Sequence, residues 1–370
     1  MQLSYWEYST WFKDVDIAII GSGIVGLNCA IHLQKQHPKK KILVLEKGFL
    51  PHGASTKNAG FACFGSISEI LADRKNHSDD EVLQLIEKRF KGLENLKNLL
   101  GEKNIGFQAN GNYELFLKNS HLYEKCLDKI DEINQLIYPI FRTNIFEEKS
   151  TSFGFEGVEN TCILNHLEGQ IDTGKMMKNL LQLARSLGVT VINGINIQSV
   201  VPFSKKVKIQ TNSFSFQAKK VCVATNGFAK DLLNLAVQPV RNQVIVSEVV
   251  PDLQWNTCFH IEEGYFYVRN VDQRILVGGG RHLAKEEEST SKFGLTDKIQ
   301  FELKKLLHEV IYPQRKLKID FQWSGILGTG NQKKPIIREI QPNIYVGVRL
   351  GGMGVAIGSL VGRDLAEITS

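Results

Sequence analysis

Three glycines with the spacing G-x-G-x-x-G constrain this chain more than any other feature. The apolar residues 17–20 lead into Gly21, Gly23 and Gly26, and a helix-compatible stretch and a second apolar run then extend to Leu45. This order predicts a strand, a tight turn, a helix and a second strand, which is the arrangement of a dinucleotide-binding unit. The first glycine permits the turn, the second lets the backbone approach a pyrophosphate, and the third lets helix and strand pack closely.

The second apolar run ends in a carboxylate, Glu46. Glu46 can accept hydrogen bonds from both ribose hydroxyls, and its charge disfavours a 2′-phosphate. The predicted helix N-terminus offers free N–H groups and a partial positive charge to the phosphates. A purely structural glycine turn would leave Glu46 unexplained. The contacts expected from this unit are Gly21, Ser22, Gly23, Ile24, Val25, Gly26, Glu46 and Lys47.

Composition excludes several other classes of protein. The 370 residues suffice for two domains, and the net charge of +6 is spread along the chain, so we predict no nucleic-acid partner. No apolar run is long enough to span a bilayer, and residues 1–14 lack the order of a signal peptide. The six cysteines lie far apart without a C-x-x-C pair, and the histidines show no metal spacing. We therefore expect a reduced, cytoplasmic protein without a metal site.

Apolar periodicity predicts three long helices before the middle of the chain. Residues 79–100 have the pattern of an amphipathic helix. Residues 119–137 predict another, which Pro139 is expected to end. A third helix is expected to run to about residue 187, with Asp172 or Thr173 as its N-cap.

Strand patterns of the parallel type occur at the start, in the middle and at the end of the chain, with antiparallel patterns between them. The antiparallel material includes a predicted hairpin at residues 107–117, which turns at Asn110-Gly111. This order predicts one dinucleotide domain made of discontinuous segments and an interleaved β-rich domain. The expected domains are residues 1–85, 150–235 and 325–370 for the first, and residues 86–149 and 236–324 for the second.

Four further segments follow the fingerprint in a fixed order. They read G-A-S-T-K-N-A-G at residues 53–60, V-A-T-N-G at 223–227, R-I-L-V-G-G-G-R at 274–281 and G-G-M-G at 351–354. With S-Y-W at residues 4–6, they resemble the D-amino-acid oxidase / glycine oxidase superfamily of FAD-dependent oxidoreductases, in particular the branch that includes γ-glutamylputrescine oxidase. The resemblance implies an α/β fold, in which an FAD-binding Rossmann-like domain of the glutathione-reductase type is interleaved with a β-rich substrate domain.

The resemblance also implies a set of FAD contacts. The segment at 53–60 would run beside the pyrophosphate and the flavin, and the turn at 351–354 would direct a second helix N-terminus at the flavin ring. Because reduced flavin is anionic, a positive helix end there raises its reduction potential. The alternative for the second turn is a flexible connection before the last helix. The implied contacts are Ser55, Thr56, Lys57, Asn58, Ala59, Gly60, Val200, Ala224, Thr225, Asn226, Gly227, Gly351, Gly352, Met353 and Gly354.

Two departures from the family pattern are informative. Asn58 stands where some relatives have a histidine that carries the flavin covalently, and residues 323–331 contain no cysteine that could do so. The resemblance therefore implies non-covalent FAD. Leu327 stands where glycine and D-amino-acid oxidases have an arginine that binds the substrate carboxylate. Another cation is then needed if the substrate is an amino acid.

The candidate catalytic residues are Tyr267, Arg281, His282 and Arg349. A tyrosine on the strand of Tyr267 contacts substrate in related oxidases, although it can equally be an ordinary strand aromatic. Arg281 and His282 follow the triple glycine, and Arg349 precedes the second glycine turn. Either arginine can replace the missing carboxylate-binding group, and either can instead be a surface residue.

The leading hypothesis is an FAD-dependent enzyme that oxidises a carbon next to an amine nitrogen by hydride transfer to flavin N5, with oxygen or another acceptor reoxidising the flavin. Its substrate would be a small amine or amino acid. An FAD-dependent 2-hydroxy-acid dehydrogenase is an alternative, because the arginines would suit its carboxylates. A flavin-binding protein without turnover is the second alternative.

Overall fold

The computed structural model describes residues 3–150 and 152–370. Within these residues the chain forms two eight-stranded sheets and one two-stranded sheet. The small sheet pairs Phe61–Ala62 with Gly169–Gln170. In chain order, each of its strands falls between a strand of one large sheet and a strand of the other. The mixed α/β architecture confirms the predicted fold class.

The first large sheet contains the parallel strands that the glycine fingerprint predicts. Strand Val15–Ile20 lies at its centre, flanked by Ile42–Leu45 and Ser215–Val223, and its residues are almost wholly buried. Both faces of such a sheet are covered by helices or loops, which explains why these strands read as continuous apolar runs. The strand order is Ile336–Gln341, Ile344–Val348, Ser215–Val223, Val15–Ile20, Ile42–Leu45 and Thr190–Ile192. Lys206–Thr211 also pairs with Ser215–Val223, and Ile197–Phe203 pairs with Lys206–Thr211.

The second large sheet is antiparallel except where Cys258–Ile261 pairs in parallel with Asn112–Leu115. One face packs on helix Asp297–Lys305, and the other packs on Ala59 of the loop at residues 53–60. The strand order is Ile319–Thr329, Gln238–Val249, Arg274–Gly279, Phe266–Val271, Cys258–Ile261, Asn112–Leu115, Thr161–Asn165 and Phe146–Ser150.

Long helices cover one face of the first sheet, and the antiparallel strands Ile197–Phe203 and Lys206–Thr211 pack on the other. Three of these helices, Ile24–Gln36, Asp79–Leu100 and Gly354–Thr369, share one core. Leu27, Leu93, Leu96 and Val361 are fully buried in it. The α-helices are Tyr5–Glu7, Ile24–Gln36, Ile67–Arg74, Asp79–Leu100, Glu102–Ile105, Tyr123–Leu127, Ile130–Phe141, Thr173–Ser186, Ala229–Leu233, Asp297–Lys305 and Gly354–Thr369. Tyr8–Phe12 and Leu306–Ile311 are π-helical, and Ala54–Thr56, Asn226–Phe228 and Arg281–Ala284 are 3-10 turns.

Two predicted helix boundaries are confirmed. Helix Asp79–Leu100 begins after Ser78, which forms a reciprocal capping box with Glu81. Helix Thr173–Ser186 begins after Asp172, whose carboxylate accepts the Lys175 N–H at 2.8 Å.

Two other local predictions are wrong. The helix expected over 119–137 is split into two, and the second part continues through Pro139 to Phe141. The hairpin at Asn110-Gly111 does not form, because Gln108 exchanges both backbone hydrogen bonds with Gln170 instead. The strand after the turn pairs with Thr161–Asn165 and Cys258–Ile261, so distant partners override the local turn signal.

We propose revised domain boundaries from the sheets. Strands Phe146–Ser150 and Thr161–Asn165 pair within the second sheet, so the boundary near residue 150 moves to about 166. Helix Asp79–Leu100, which the boundary at 85 divides, packs on the core of the first sheet and belongs with it.

Candidate FAD and substrate site

A cavity of about 670 Å³ opens at the carboxyl ends of the parallel strands. Its volume lies within the range of roughly 300–1,000 Å³ that is typical of small-molecule sites. Its walls come from the fingerprint turn, from the loop around Ser55, from the end of strand Ser215–Val223 and from the turn before the last helix. The fingerprint and the segments at 53–60, 223–227 and 351–354 therefore meet at one cavity, whereas the segment at 274–281 does not line it.

The fingerprint turn has the close packing that its glycines allow. The Gly21 N–H donates to the carbonyl of Leu45 at 2.8 Å, which joins the turn to the second strand. A Cβ on Gly26 would lie 1.9 Å from the Gly21 carbonyl oxygen, so only glycine fits there. The N–H of Ile24, in the first turn of the helix, donates to the Ser55 hydroxyl at 3.0 Å. That bond draws the next loop over the helix N-terminus.

Glu46 lines the cavity and is only 6% exposed. One carboxylate oxygen accepts the Ser22 N–H at 3.0 Å and the Ser22 hydroxyl at 2.9 Å. The other accepts the N–H groups of Gly48 at 3.0 Å and His52 at 3.2 Å. The carboxylate thus holds the turn and the loop that follow the first two strands, as well as facing the cavity.

The side chain of Asn58 is fully engaged within its own loop. Its amide donates to the Ser55 carbonyl at 2.8 Å, and its oxygen accepts the Gly60 N–H at 2.9 Å and the Thr173 hydroxyl at 2.8 Å. The neighbouring Lys57 carbonyl accepts the Trp323 indole N–H at 2.9 Å. These bonds fix the loop between the two sheets.

The second glycine turn joins the cavity to helix Gly354–Thr369. Met353 caps this helix, and its sulfur lies 3.8 Å from that of Cys63. A Cβ on Gly352 would meet no atom within 4 Å, so the cavity is open at this point. Thr225 lines the cavity as well, and its buried hydroxyl has no hydrogen-bond partner among residues 3–150 and 152–370, which leaves it available to a bound ligand.

Most predicted cofactor residues line this cavity. Those that line it are Gly21, Gly23, Ile24, Val25, Glu46, Lys47, Ser55, Asn58, Ala224, Thr225, Asn226, Gly351, Gly352 and Gly354. Those that lie behind its wall are Ser22, Gly26, Thr56, Lys57, Ala59, Gly60, Val200, Gly227 and Met353. Val200 needs correction: its side chain is buried in the core of the first sheet, and Asn196, Ile197 and Gln198, earlier in the same segment, reach the cavity instead.

Tyr267 lies on the face of the second sheet that packs on Ala59 of the loop at residues 53–60. The strand register sets it beside His260 on one side and Gly278 on the other. The ring covers Gly278, where any side chain would collide with it. Phe61 stacks on His260 and meets the Tyr267 ring edge-on, with centroids 5.0 and 5.4 Å apart. Burial raises the pKa of Tyr267, which keeps its hydroxyl protonated.

Arg281 and His282 begin a 3-10 turn at the end of strand Arg274–Gly279. The Arg281 guanidinium lies 5.6 Å over the ring of Tyr265 and forms no hydrogen bond or ion pair within the described residues. The His282 ring packs on Tyr265 as well, and its Nδ1 is buried without a partner. Burial lowers the pKa of His282, which favours the neutral imidazole. A cation without a partner among the described residues and a neutral imidazole are therefore neighbours at this strand end, and neither side chain lines the cavity.

Arg349 is directed elsewhere. Its Nε donates to the Lys334 carbonyl at 2.9 Å, and Nη1 donates to that of Ala236 at 3.4 Å. Its backbone N–H donates to the Asn226 side chain at 3.0 Å, which shapes the turn toward the cavity. The guanidinium ties surface loops together, so we withdraw it from the candidate catalytic residues.

Sequence reasoning missed one wall of the cavity. Ser291, Lys292 and Phe293 reach it from the loop that follows the substrate-domain strands, and Phe293 packs on His52 with centroids 4.6 Å apart. Their loop is polar and aperiodic, so only the lone aromatic Phe293 could have drawn attention to it. No cluster of residues suited to a metal occurs in residues 3–150 and 152–370. None of the helices described there combines the length and the hydropathy of a bilayer span.

The fold and the cavity define a dinucleotide-binding flavoprotein, and the residues that line the cavity fit FAD. The chain belongs to the DAO family of FAD-dependent oxidoreductases, whose sequence profile matches residues 16–368. Members of this family act on amines and amino acids, which confirms both the predicted cofactor, FAD, and the predicted enzyme class.

Curated relatives extend over nearly the whole chain. The sequence is 23% identical to the probable oxidoreductase OrdL of Haemophilus influenzae, over 97% of this chain and 83% of that one. It is 24% identical to the gamma-glutamylputrescine oxidoreductase of Escherichia coli, over 95% of this chain and 83% of that one.

Solved structures share the fold. Glycine oxidase from Bacillus cereus superimposes with a TM-score of 0.77 at 16% identity, covering 96% of this chain and 97% of the other. L-proline dehydrogenase from P. horikoshii superimposes with a TM-score of 0.74 at 18% identity, covering 96% and 92%.

Proposed function

We propose that the protein oxidises the carbon next to the nitrogen of a small amine or amino acid that carries a carboxylate. Bound FAD supplies the hydride acceptor at its N5. Residues around Glu46, Ser55 and the second glycine turn would hold the cofactor. Oxygen or another acceptor then takes the electrons from the reduced flavin.

The location that we propose is the cytoplasm. The six cysteines are free and buried, which agrees with a reducing compartment.

One observation supports the substrate class: the Arg281 guanidinium lies over the ring of Tyr265 and has no hydrogen-bond or ion-pair partner among the described residues. A guanidinium matches the two oxygens of a carboxylate in a planar, bidentate pair. Arg281 therefore takes the place of the carboxylate-binding arginine that related oxidases have at the position of Leu327. The neutral His282 next to it can accept a proton from the substrate ammonium, so that the nitrogen lone pair becomes available during hydride loss.

A panel of substrates tests this proposal. The FAD-loaded protein is mixed anaerobically with amines, amino acids and 2-hydroxy acids, and bleaching of the flavin absorbance is followed. We expect bleaching by an amine or amino acid with a carboxylate. Bleaching by hydroxy acids alone would favour a 2-hydroxy-acid dehydrogenase, since Arg281 suits that carboxylate equally. No bleaching by any compound would favour a flavin-binding role without turnover.

A further inference from the structure

Arg269 is a buried guanidinium without a carboxylate partner. It lies on strand Phe266–Val271 and is only 6% exposed. Within the described residues no carboxylate forms a hydrogen bond or an ion pair with it. Burial lowers the pKa of the guanidinium, although Asp172 and Asp272 act in the opposite direction. Burying a charge without a counter-charge costs free energy. A role that requires this charge is therefore the hypothesis to test for Arg269.

The Arg269 side chain joins three separate parts of the chain. Its Nη1 donates to the carbonyls of Ala59 at 2.8 Å, Gly60 at 2.9 Å and Ile171 at 2.9 Å. Gly60 has a φ of +77°, and a Cβ there would lie 2.3 Å from Nη1. The guanidinium therefore joins strand Phe266–Val271 to the loop at residues 53–60 and to the segment before helix Thr173–Ser186.

From Arg269, a continuous series of hydrogen bonds reaches the fingerprint helix. Arg269 donates to the Gly60 carbonyl, and the Gly60 N–H donates to the Asn58 side-chain oxygen. The Asn58 side-chain amide donates to the Ser55 carbonyl. The Ser55 hydroxyl in turn accepts the N–H of Ile24 at the helix N-terminus. Ser55, Asn58 and Ile24 all line the cavity. A displacement of Arg269 would thus be transmitted to the cavity wall.

We propose that Arg269 is a positioning residue for FAD. It fixes the loop of residues 55–60 against the fingerprint helix. Because the guanidinium is buried directly against Ala59 and Gly60 of that loop, its positive charge favours the anionic, reduced form of the cofactor. This inference rests on FAD binding, which the family supplies, and not on the identity of the substrate. It survives if the proposed substrate class is wrong.

The two parts of the proposal are separated by two substitutions. Arg269→Met removes both the charge and the donors, whereas Arg269→Lys keeps the charge but cannot reproduce the forked geometry. FAD binding to each apoprotein is measured by quenching of flavin fluorescence, and the midpoint potential of the bound flavin is measured by dye equilibration. We expect Arg269→Met to weaken FAD binding by at least about tenfold and to lower the midpoint potential. Arg269→Lys is expected to weaken binding while the potential stays near that of the wild type.

Arg274→Met is the matched control, because Arg274 lies on the adjacent strand and bonds at the surface to Asp320 and to the Ser247 carbonyl. It should leave both readouts unchanged. Wild-type FAD affinity in Arg269→Met would refute the positioning role. An equal fall in potential for Met and Lys would refute the electrostatic role. If Arg269→Met does not fold, Arg269→Lys and Asn58→Ala test the same hydrogen-bond series, and unchanged affinity in both would refute it.

Discussion

The carboxylate of Glu46 accepts two hydrogen bonds from Ser22, one from the backbone N–H at 3.0 Å and one from the hydroxyl at 2.9 Å. Its other oxygen accepts the N–H groups of Gly48 and His52. Four donors thus converge on one carboxylate at the cavity wall. These four bonds stabilise the fold itself, in addition to the ribose contact that we propose for Glu46.

Glu46→Gln should therefore weaken the protein in two ways. A glutamine amide would direct an N–H₂ group at one pair of donors, so at least one backbone N–H would lose its acceptor at a cost of about 1–3 kcal/mol. We expect a lower unfolding temperature of the apoprotein and an FAD affinity reduced by at least about tenfold. Calorimetry and flavin titration measure the two effects.

Glu159→Gln is the control for this change, since the Glu159 carboxylate accepts only the Asn119 N–H near the surface. It should alter neither quantity. Unchanged FAD affinity in Glu46→Gln would mean that Glu46 does not contact the ribose.

Two glycine substitutions should differ in their effect on the stability of the apoprotein. In Gly26→Ala the added methyl would lie 1.9 Å from the Gly21 carbonyl oxygen, so the fingerprint helix must move off its strand. In Gly352→Ala the methyl meets open space. We expect Gly26→Ala to destabilise the apoprotein by about 1–3 kcal/mol or more, and Gly352→Ala to change its stability by less than about 0.5 kcal/mol. Urea unfolding of both apoproteins checks this, and equal stabilities would contradict it.

Glu114 and Glu168 make stability depend on pH. Both are fully buried, and burial raises the pKa of each to about 7. Because the folded protein then binds more protons than the unfolded chain above about pH 4.5, the free energy of unfolding should fall as pH rises toward 7. The full effect of one such carboxyl is on the order of 3 kcal/mol. Above pH 7 the contribution should be constant.

Glu168→Gln should make this fall shallower, because one of the two titrating groups is gone. The exposed Glu286 offers a control, and Glu286→Gln should leave the pH profile of denaturant unfolding as it is in the wild type. A wild-type profile that rises between pH 5 and pH 7 would show that these carboxyls stay ionised in the fold.

Arg281 and Arg349 should respond differently to the same substitution. Arg281→Met removes the unpartnered cation, so the substrate concentration for half-maximal flavin reduction should rise at least about tenfold, with a smaller change in the rate at saturation. Arg349→Met should leave that concentration unchanged, because its guanidinium bonds to Lys334 and Ala236. Stopped-flow reduction measures both constants, and a larger effect at Arg349 would reverse the assignment.

The attachment of FAD has a direct test. Asn58 bonds only to groups of its own loop and to Thr173, and the six cysteines are free and buried. We therefore expect acid precipitation to release intact FAD into the supernatant. Yellow colour that stays with the pellet would indicate a covalent bond.

Local steric demands made the first cofactor unit predictable. Gly26 must be glycine because a carbonyl lies where its side chain would be, and Glu46 must be a carboxylate because four donors surround it. Such requirements concern residues close in sequence or elements of one βαβ unit, so they leave a readable spacing.

Residues whose role depends on distant strand register left no such signal. Arg269 bonds to Gly60, which is 209 positions away, and reads in the sequence as an ordinary charged strand residue. The failed hairpin at Asn110-Gly111 has the same cause, since Gln108 pairs with Gln170. Arg281 and Arg349 both lie near glycine turns, and only the surrounding carbonyls distinguish them.

The shared core of the first sheet also bears on how the protein is made. Val15–Ile20 and Ile24–Gln36 pack with residues as late as Leu365 and Ala366, and the second helix start at the cavity is provided by Gly354. During synthesis the fingerprint unit is made more than 300 residues before helix Gly354–Thr369, so its apolar helix face lacks that partner until the helix has been made. A ribosome-bound intermediate should therefore expose that face until the last helix emerges, which makes the nascent chain a natural client for a chaperone.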